Sequence, residues 1–113
     1  MDRTYKVAGQ AAPAATTPTT IYTVPATKYF VASTLVVANR DKVGDAAEFR
    51  IAIVPSDDTL GNKHYIAYDQ LIDQRDSIPK TLGISLQAGD QVVVYGSTAN
   101  LSFSLFGLEA TAS

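Results

Sequence analysis

His64 is the only histidine of this chain, and histidine is the side chain most often used as a general base. A serine–histidine–aspartate relay would have to use His64, because no second histidine is present. The sequence has no Gly-x-Ser-x-Gly motif to present a nucleophilic serine, and it has no cysteine. We therefore expect a mid-strand His64 that is hydrogen-bonded to nearby backbone or to an aspartate. The sequence predicts no catalytic residue.

Acidic residues in two loops are the candidate metal ligands. Asp41 and Asp45 lie in one predicted loop and Asp57 and Asp58 in another, and calcium prefers carboxylate oxygens. The second loop lacks the alternating aspartates of an EF-hand. Two aspartates that met in space would resemble the carboxylate pair of a glycosidase, but the chain has no tryptophan to stack on a sugar. We expect no metal ion, no cofactor and no enzymatic activity.

Tyrosine is the other residue type that suggests a site, because it is enriched at protein interfaces. The chain has six tyrosines and four phenylalanines. Tyr65 and Tyr68 would point to opposite faces of a regular strand, so at least one of them should reach an outer surface. The alternative for each tyrosine is a place in the core with a satisfied hydroxyl. The candidate interface residues are Tyr5, Pro13, Pro18, Tyr65 and Tyr68.

Apolar residues recur at every second position in the segments that must hold these side chains. This period places one set of residues on each face of a pleated strand and is typical of half-buried antiparallel strands. The predicted apolar faces are formed by Phe49, Ile51 and Ile53, by His64, Ile66 and Tyr68, and by Leu101, Phe103 and Leu105.

Seven or eight short strands follow from this pattern at intervals of roughly ten residues, as in a sandwich or barrel. The region 70–82 is ambiguous, but Pro79 favours strand and loop over helix. We predict an all-β fold, an antiparallel β-sandwich of the immunoglobulin-like or jelly-roll kind, as a single domain over residues 1–113. The strands are predicted at 5–10, 21–24, 29–39, 48–54, 63–69, around 84–86, 91–95 and 100–106.

Residues 11–20 contain only alanine, proline and threonine and cannot supply a core face. Proline favours an extended backbone in the residue that precedes it. The segment is either a solvated connector between strands or an extended arm that lies on a neighbouring subunit. We predict that deletion of residues 11–20 weakens assembly more than folding.

Charge and hydropathy exclude several partners. The net charge is −2 and the nine basic residues are scattered, which argues against nucleic-acid binding. No apolar run is long enough to span a bilayer, so we expect no membrane partner. The first residues lack the apolar stretch of a signal peptide, so the protein is expected to be made and folded in a cytoplasm.

The succession of residues 5–17, 35–40, 49–53, 63–69 and 101–107 resembles small virion structural proteins of tailed bacteriophages, notably those of cyanophages. The resemblance extends over roughly residues 5–109 and lies in the pattern, with no catalytic motif. It implies a β-sandwich subunit of the virion, made in the host cytoplasm. Capsid decoration is the first expectation, and a tail or baseplate component that binds a receptor or glycan is the alternative.

The implied partners are the major capsid protein or other virion proteins. We also expect a homo-oligomer, preferably a trimer, because many weak contacts on a symmetric lattice add up to stable attachment. No family residue with a catalytic role is carried over to this chain.

Overall fold

The computed structural model describes residues 3–41 and 46–111, which form eight antiparallel strands in two sheets. The helical structure in these residues is one short 3-10 turn, Asn62–His64. No helix among them is long and apolar enough to cross a membrane. The strands are β1 Arg3–Ala11, β2 Thr19–Thr23, β3 Lys28–Asn39, β4 Ala47–Val54, β5 Tyr65–Ile72, β6 Ser77–Gln87, β7 Gln91–Gly96 and β8 Leu101–Thr111.

The strand pairing is that of one long hairpin rolled into two sheets. Antiparallel pairs join β1 to β8, β2 to β7, β3 to β6 and β4 to β5, as in a hairpin that turns between β4 and β5. Rolling adds the pairs β3–β8 and β4–β7. The first sheet therefore has the order β1-β8-β3-β6, and the second has β2-β7-β4-β5.

This order distinguishes between the two sandwiches expected from the sequence. In an immunoglobulin-like sandwich the first two strands are neighbours in one sheet. Here successive strands lie in opposite sheets, and the single exception is the β4–β5 pair. The fold is the jelly roll, an eight-stranded sandwich that also occurs in viral capsid and lectin domains.

The core lies between the two sheets and is built from the alternating residues of nearly every strand. The predicted inward set of β8, Leu101, Phe103 and Leu105, is fully buried. On β4, Phe49 and Ile51 are fully buried, which confirms the predicted register of that strand. The rings of Phe49 and Phe103 meet edge to face across the sandwich at 6.4 Å.

The predicted inward face of β5 was wrong. Ile66 and Tyr68 are about half exposed, whereas Ala67 packs against the core. The strand begins at Tyr65, two residues later than predicted, because residues 62–64 form the 3-10 turn. It also contains a bulge near Tyr68, and a bulge changes the face to which the following side chains point.

Residues 77–87 form the edge strand β6, so the expectation of strand and loop in the ambiguous region is confirmed. Pro79 lies inside this strand opposite Val36 of β3. Proline is tolerated there because β6 has a partner on one side only. The turn before it is closed by a hydrogen bond from the Asp76 amide to the Asp73 carbonyl, 3.2 Å.

The alanine–proline–threonine segment connects the two sheets. Ala11 ends β1 and Thr19 begins β2, and the Thr16 amide donates to the Gly96 carbonyl at 2.8 Å. This path is that of a connector between strands, which was one of the two alternatives predicted for the segment. Contact with a neighbouring subunit stays a prediction, because a single chain does not test it.

A polar group also joins the two sheets at the β1–β2 edge. The Tyr22 hydroxyl of β2 donates to Glu109 of β8 at 2.6 Å, and Lys6 of β1 donates to the same carboxylate at 3.1 Å. The Tyr22 hydrogen bond, followed by the Lys6 contact, holds the pKa of Glu109 below its usual range despite burial. Burial and this hydrogen bond raise the pKa of Tyr22 well above its usual value.

Candidate interaction surface

The structure brings together only two of the five residues predicted to form an interface. The rings of Tyr65 and Tyr68 lie 5.0 Å apart on the outer face of the second sheet. Tyr5 is 82 % exposed but lies on the outer face of the first sheet. Pro13 is buried within its own chain, and Pro18 is exposed in the connector. The Pro13 side chain is therefore not part of the exposed surface of this chain.

Arg50 lies at the centre of the tyrosines on the second sheet. Its guanidinium carbon is 4.1 Å from the ring centre of Tyr68 and 4.2 Å from that of Tyr95. The Tyr65 ring is more distant, at 6.0 Å. These separations fall within the range of cation–π attraction. We call Arg50, Tyr65, Tyr68, Asp69 and Tyr95 the arginine–tyrosine cluster.

The β5 bulge assembles this cluster. Phe49 pairs with Gln70 and Ile51 with Ala67, so two residues, Tyr68 and Asp69, face the single residue Arg50. In a regular strand Tyr68 and Asp69 would point to opposite faces. Asp69 has a φ of 52°, in the left-handed region, which allows the extra residue to be accommodated.

Asp69 fixes the orientation of Arg50. Its two carboxylate oxygens accept from Nε at 2.6 Å and from the second terminal nitrogen at 3.3 Å. These hydrogen bonds raise the pKa of Arg50 above its usual value, which is already high, so the guanidinium is always charged. Because the carboxylate occupies the edge of the guanidinium, the two flat faces stay available to the rings.

The loop between β4 and β5 supports Tyr65 from one side. On the outer face of the second sheet Ala52, Val54 and Val93 are buried, and Leu60 and Tyr65 pack against them. This is a satellite cluster outside the main core, of the kind found under long loops. Tyr65 is therefore held in position by packing, while Tyr68 beside it is 56 % exposed.

His64 holds that loop in place. Its Nδ1 accepts from the Gly61 amide at 2.9 Å, so Nε2 carries the proton and donates to Asp58 at 3.0 Å. The expected backbone and aspartate partners are thus confirmed, although His64 lies in the 3-10 turn and not in a strand. The His64 hydrogen bond, followed by the Thr59 amide, lowers the pKa of Asp58. Both ring nitrogens are thus engaged by groups of the loop itself.

The candidate metal ligands do not form a site within residues 3–41 and 46–111. In this part of the chain no three histidine, cysteine or acidic side chains converge. Asp58 bonds His64 and Lys63 instead of a second aspartate. Asp45 lies outside the described residues.

The first sheet carries a second candidate interaction surface, which was not predicted from the sequence. The outer face of the first sheet carries an apolar patch, which we call the apolar face. Direct pairs across the strands place these side chains together: Tyr5 faces Leu108, Val7 faces Phe106, and Leu108 faces Val31. The sequence signal that could have revealed this face lies in β8. Ser102 and Ser104 alternate with the buried residues of this strand, and further along the same side they are followed by Phe106 and Leu108.

Arg50, Asp69 and Tyr95 were also missed as members of a site. They are 19 and 26 residues apart in the sequence, and no local motif links them. Arg50 and Tyr95 become neighbours only through the β4–β7 register. The separation along the chain explains why spacing alone did not reveal the cluster.

Comparison with known proteins does not assign the chain to a family. No model of a protein family and no curated protein matches its sequence.

Proposed function

We propose that this chain is a non-enzymatic structural protein of a virion, and specifically a capsid decoration (cement) protein that binds and stabilises a phage head. The observation that carries the proposal is the arginine–tyrosine cluster. Arginine and tyrosine are the residue types that most often dominate binding energy at protein interfaces. The proposed partner is the major capsid protein or another virion protein.

The cluster is suited to binding because it is already organised before a partner arrives. The Asp69 carboxylate fixes Arg50, and the packed β4–β5 loop fixes Tyr65. Little side-chain entropy then remains to be lost when Tyr68 is covered. Repetition of a modest contact over a symmetric shell would supply the remaining affinity.

Substitution of Tyr68 tests the attachment surface. The Tyr68→Ser variant should bind purified capsids that lack the protein with occupancy about tenfold or more below that of the wild type. Truncation of a central interface tyrosine typically costs that much. Tyr68→Phe, which keeps the ring, should retain most of the binding. Co-sedimentation with the capsids gives the occupancy, and Ala15→Ser in the exposed connector is the control.

Two results would reject this assignment. If Tyr68→Ser occupied the capsids as fully as the wild type, attachment would use another surface. Equal resistance of complete and depleted capsids to heat and low salt would exclude a cement role.

A tail or baseplate component that binds a receptor or glycan is the second candidate. One observation favours it: Tyr65 and Tyr68 border a surface depression together with Asn62 of the β4–β5 loop. Aromatic rings beside an amide are suited to a sugar, and lectin domains also use the jelly roll. Binding on a glycan array that is lost in Tyr68→Ser would support this candidate.

Electron microscopy of labelled particles separates the two candidates. Label spread over the icosahedral shell would support decoration and a virion location. Label confined to the tail or to one vertex would reject decoration in favour of the second candidate.

A further inference from the structure

We propose that the open edge of the sandwich between β5 and β6 binds a small carboxylate with an apolar tail, and that Lys80 pairs with the carboxylate group. The site lies between the two sheets and shares no residue with the arginine–tyrosine cluster. It is a binding function in addition to attachment, and neither proposal depends on the other.

A depression of about 270 Å³ lies between these two edge strands, which belong to different sheets. It reaches Ile51 of β4, which is fully buried in the core. Its polar residues are Lys80 and Thr81 of β6, and its apolar residues are Ile51, Ile66, Ala67, Leu82 and Ile84. A mostly apolar lining with a few polar groups is the usual form of a small-molecule site.

Lys80 lies on the inner face of the first sheet, among core positions. It is paired with Leu35 of β3, which is fully buried, and directly paired residues point to the same face. Ile78, two residues earlier, packs against the core in the same way, opposite buried Val37. Lys80 is only partly exposed, because its side chain lies in the open edge of the sandwich and lines the depression.

The charge of Lys80 is not balanced within the part of the chain that the structure describes. None of the ion pairs there includes Lys80, and its ammonium group makes no hydrogen bond. The attraction between opposite charges is stronger beside an apolar, partly buried surface than in water. An anion that enters the depression would therefore find a cation with no competing partner.

The volume of the depression sets the size of the ligand. A cavity of about 150 Å³ holds benzene. By proportion, a volume of about 270 Å³ accommodates a tail of roughly ten carbon atoms. Medium-chain fatty carboxylates combine a tail of this size with a single negative charge, so they match both the apolar lining and the one lysine.

This position of the ligand leaves the backbone of the two edge strands hydrated. The free N–H and C=O groups of β5 and β6 point sideways, in the plane of each sheet. The tail would lie between the sheets, against the side chains of Ile51, Leu82 and Ile84. Binding would thus bury apolar side chains without burying unpaired backbone groups.

Titration calorimetry with decanoate and with decanol, both kept below micelle formation, tests the site. We expect the wild type to bind one decanoate. Lys80→Met keeps a long apolar side chain but removes the charge, so it should bind decanoate at least about tenfold more weakly. Decanol has the same tail without the charge, and Lys80→Met should bind it at least as well as the wild type does.

Two further variants control for charge and for space. Lys63→Met removes an exposed lysine outside the depression, and it should bind decanoate like the wild type. Ala67→Leu keeps Lys80 but fills part of the depression, so it should weaken decanoate binding by about tenfold. Thermal melting of each variant checks that it is folded.

Amide chemical shifts of the wild type locate the ligand, so this measurement does not depend on any variant. Decanoate should shift Ile66 and residues 80–84 and leave Tyr5 on the apolar face unchanged. Absence of saturable binding by the wild type, or shifts confined to the apolar face, would overturn the proposal. Equal decanoate binding by Lys80→Met would also overturn it, and would leave Lys80 the role of an inward-pointing charge that protects an edge strand.

Discussion

At the scale of single residues, the structure separates side chains that fold the protein from side chains that can bind. Ile51 is fully buried, and His64 is buried and hydrogen-bonded within its own chain. Tyr68 and Tyr5 present large rings to the surface on opposite sides of the molecule. A substitution in the first group should change stability, and one in the second should change binding.

Ile51→Asp should abolish folding or lower the free energy of unfolding by more than about 4 kcal/mol, because it buries an unpaired charge. Ile51→Val is the control and should cost only about 1 kcal/mol. Urea unfolding followed by circular dichroism measures both values. A normal unfolding midpoint for Ile51→Asp would contradict the assignment of this side chain to the core.

Tyr22→Phe should lower the free energy of unfolding by about 1.5 kcal/mol at pH 7, because Glu109 loses a hydrogen bond from the hydroxyl. The pKa of Glu109 is lowered by folding, so this stabilisation is present above about pH 4.3 and is lost as pH falls through the lowered pKa. Urea unfolding at pH 7 and pH 3 should show the difference between wild type and variant shrinking in acid.

Tyr5→Phe is the matched control for this experiment, since its side chain is exposed. It should change the free energy of unfolding by less than about 0.5 kcal/mol at either pH. A difference between wild type and Tyr22→Phe that stayed constant down to pH 3 would show that Glu109 is not the group involved.

At the scale of elements, turns and bulges decide which side chains meet. The bulge in β5 places Tyr68 and Asp69 opposite Arg50, and the 3-10 turn places His64 under its loop. Turns at one end of the sandwich are also joined to each other. Asp90 accepts from the amides of Ser56 and Gln87, which ties the β4–β5 and β6–β7 links together.

Two turns at this end share one geometry but differ in sequence. In each, the amide of the fourth residue donates to the carbonyl of the first, from Lys28 to Pro25 and from Asp90 to Gln87. The third residue has a positive φ in both, 66° at Thr27 and 89° at Gly89. Glycine adopts this backbone without steric cost, whereas a β-branched residue does not.

Thr27→Gly should therefore raise the free energy of unfolding by about 0.5–1 kcal/mol. The relief of backbone strain should exceed the additional conformational entropy that glycine loses on folding. Thermal melting measures the change. Thr23→Gly in strand β2 is the matched control and should destabilise, because glycine weakens a strand. A lower melting temperature for Thr27→Gly would show that the threonine side chain contributes more than its backbone costs.

At the scale of the whole molecule, the two outer faces differ in chemistry. The first sheet presents an apolar face, and the second presents the arginine–tyrosine cluster beside a packed loop. Attachment to a partner is the function proposed for the second face. The connector of residues 12–18 joins the two sheets and so belongs to the fold itself.

Deletion of residues 11–20 should strongly lower the melting temperature of the isolated subunit. It would remove the end of β1, the start of β2 and buried Pro13 together. This outcome is the reverse of the one expected from the sequence, where the segment was expected to affect assembly more than folding. An unchanged melting temperature would restore the interpretation of the segment as an arm.

The sequence by itself determined the local features of the protein. Alternation of apolar residues predicted the all-β class, seven or eight strands, and the inward faces of β4 and β8, because a pleated strand has a fixed period of two. The bonding of His64 was also predictable, since its partners Asp58 and Gly61 lie within six residues of it.

The tertiary structure alone decided the strand order and the surfaces. The choice of jelly roll depends on pairs such as β1–β8, which lie about a hundred residues apart and leave no local signal. The arginine–tyrosine cluster depends on two register shifts in β5, each of one residue, and a shift of that size reverses the face to which a side chain points. Periodicity describes one strand at a time, whereas a binding surface is assembled across several.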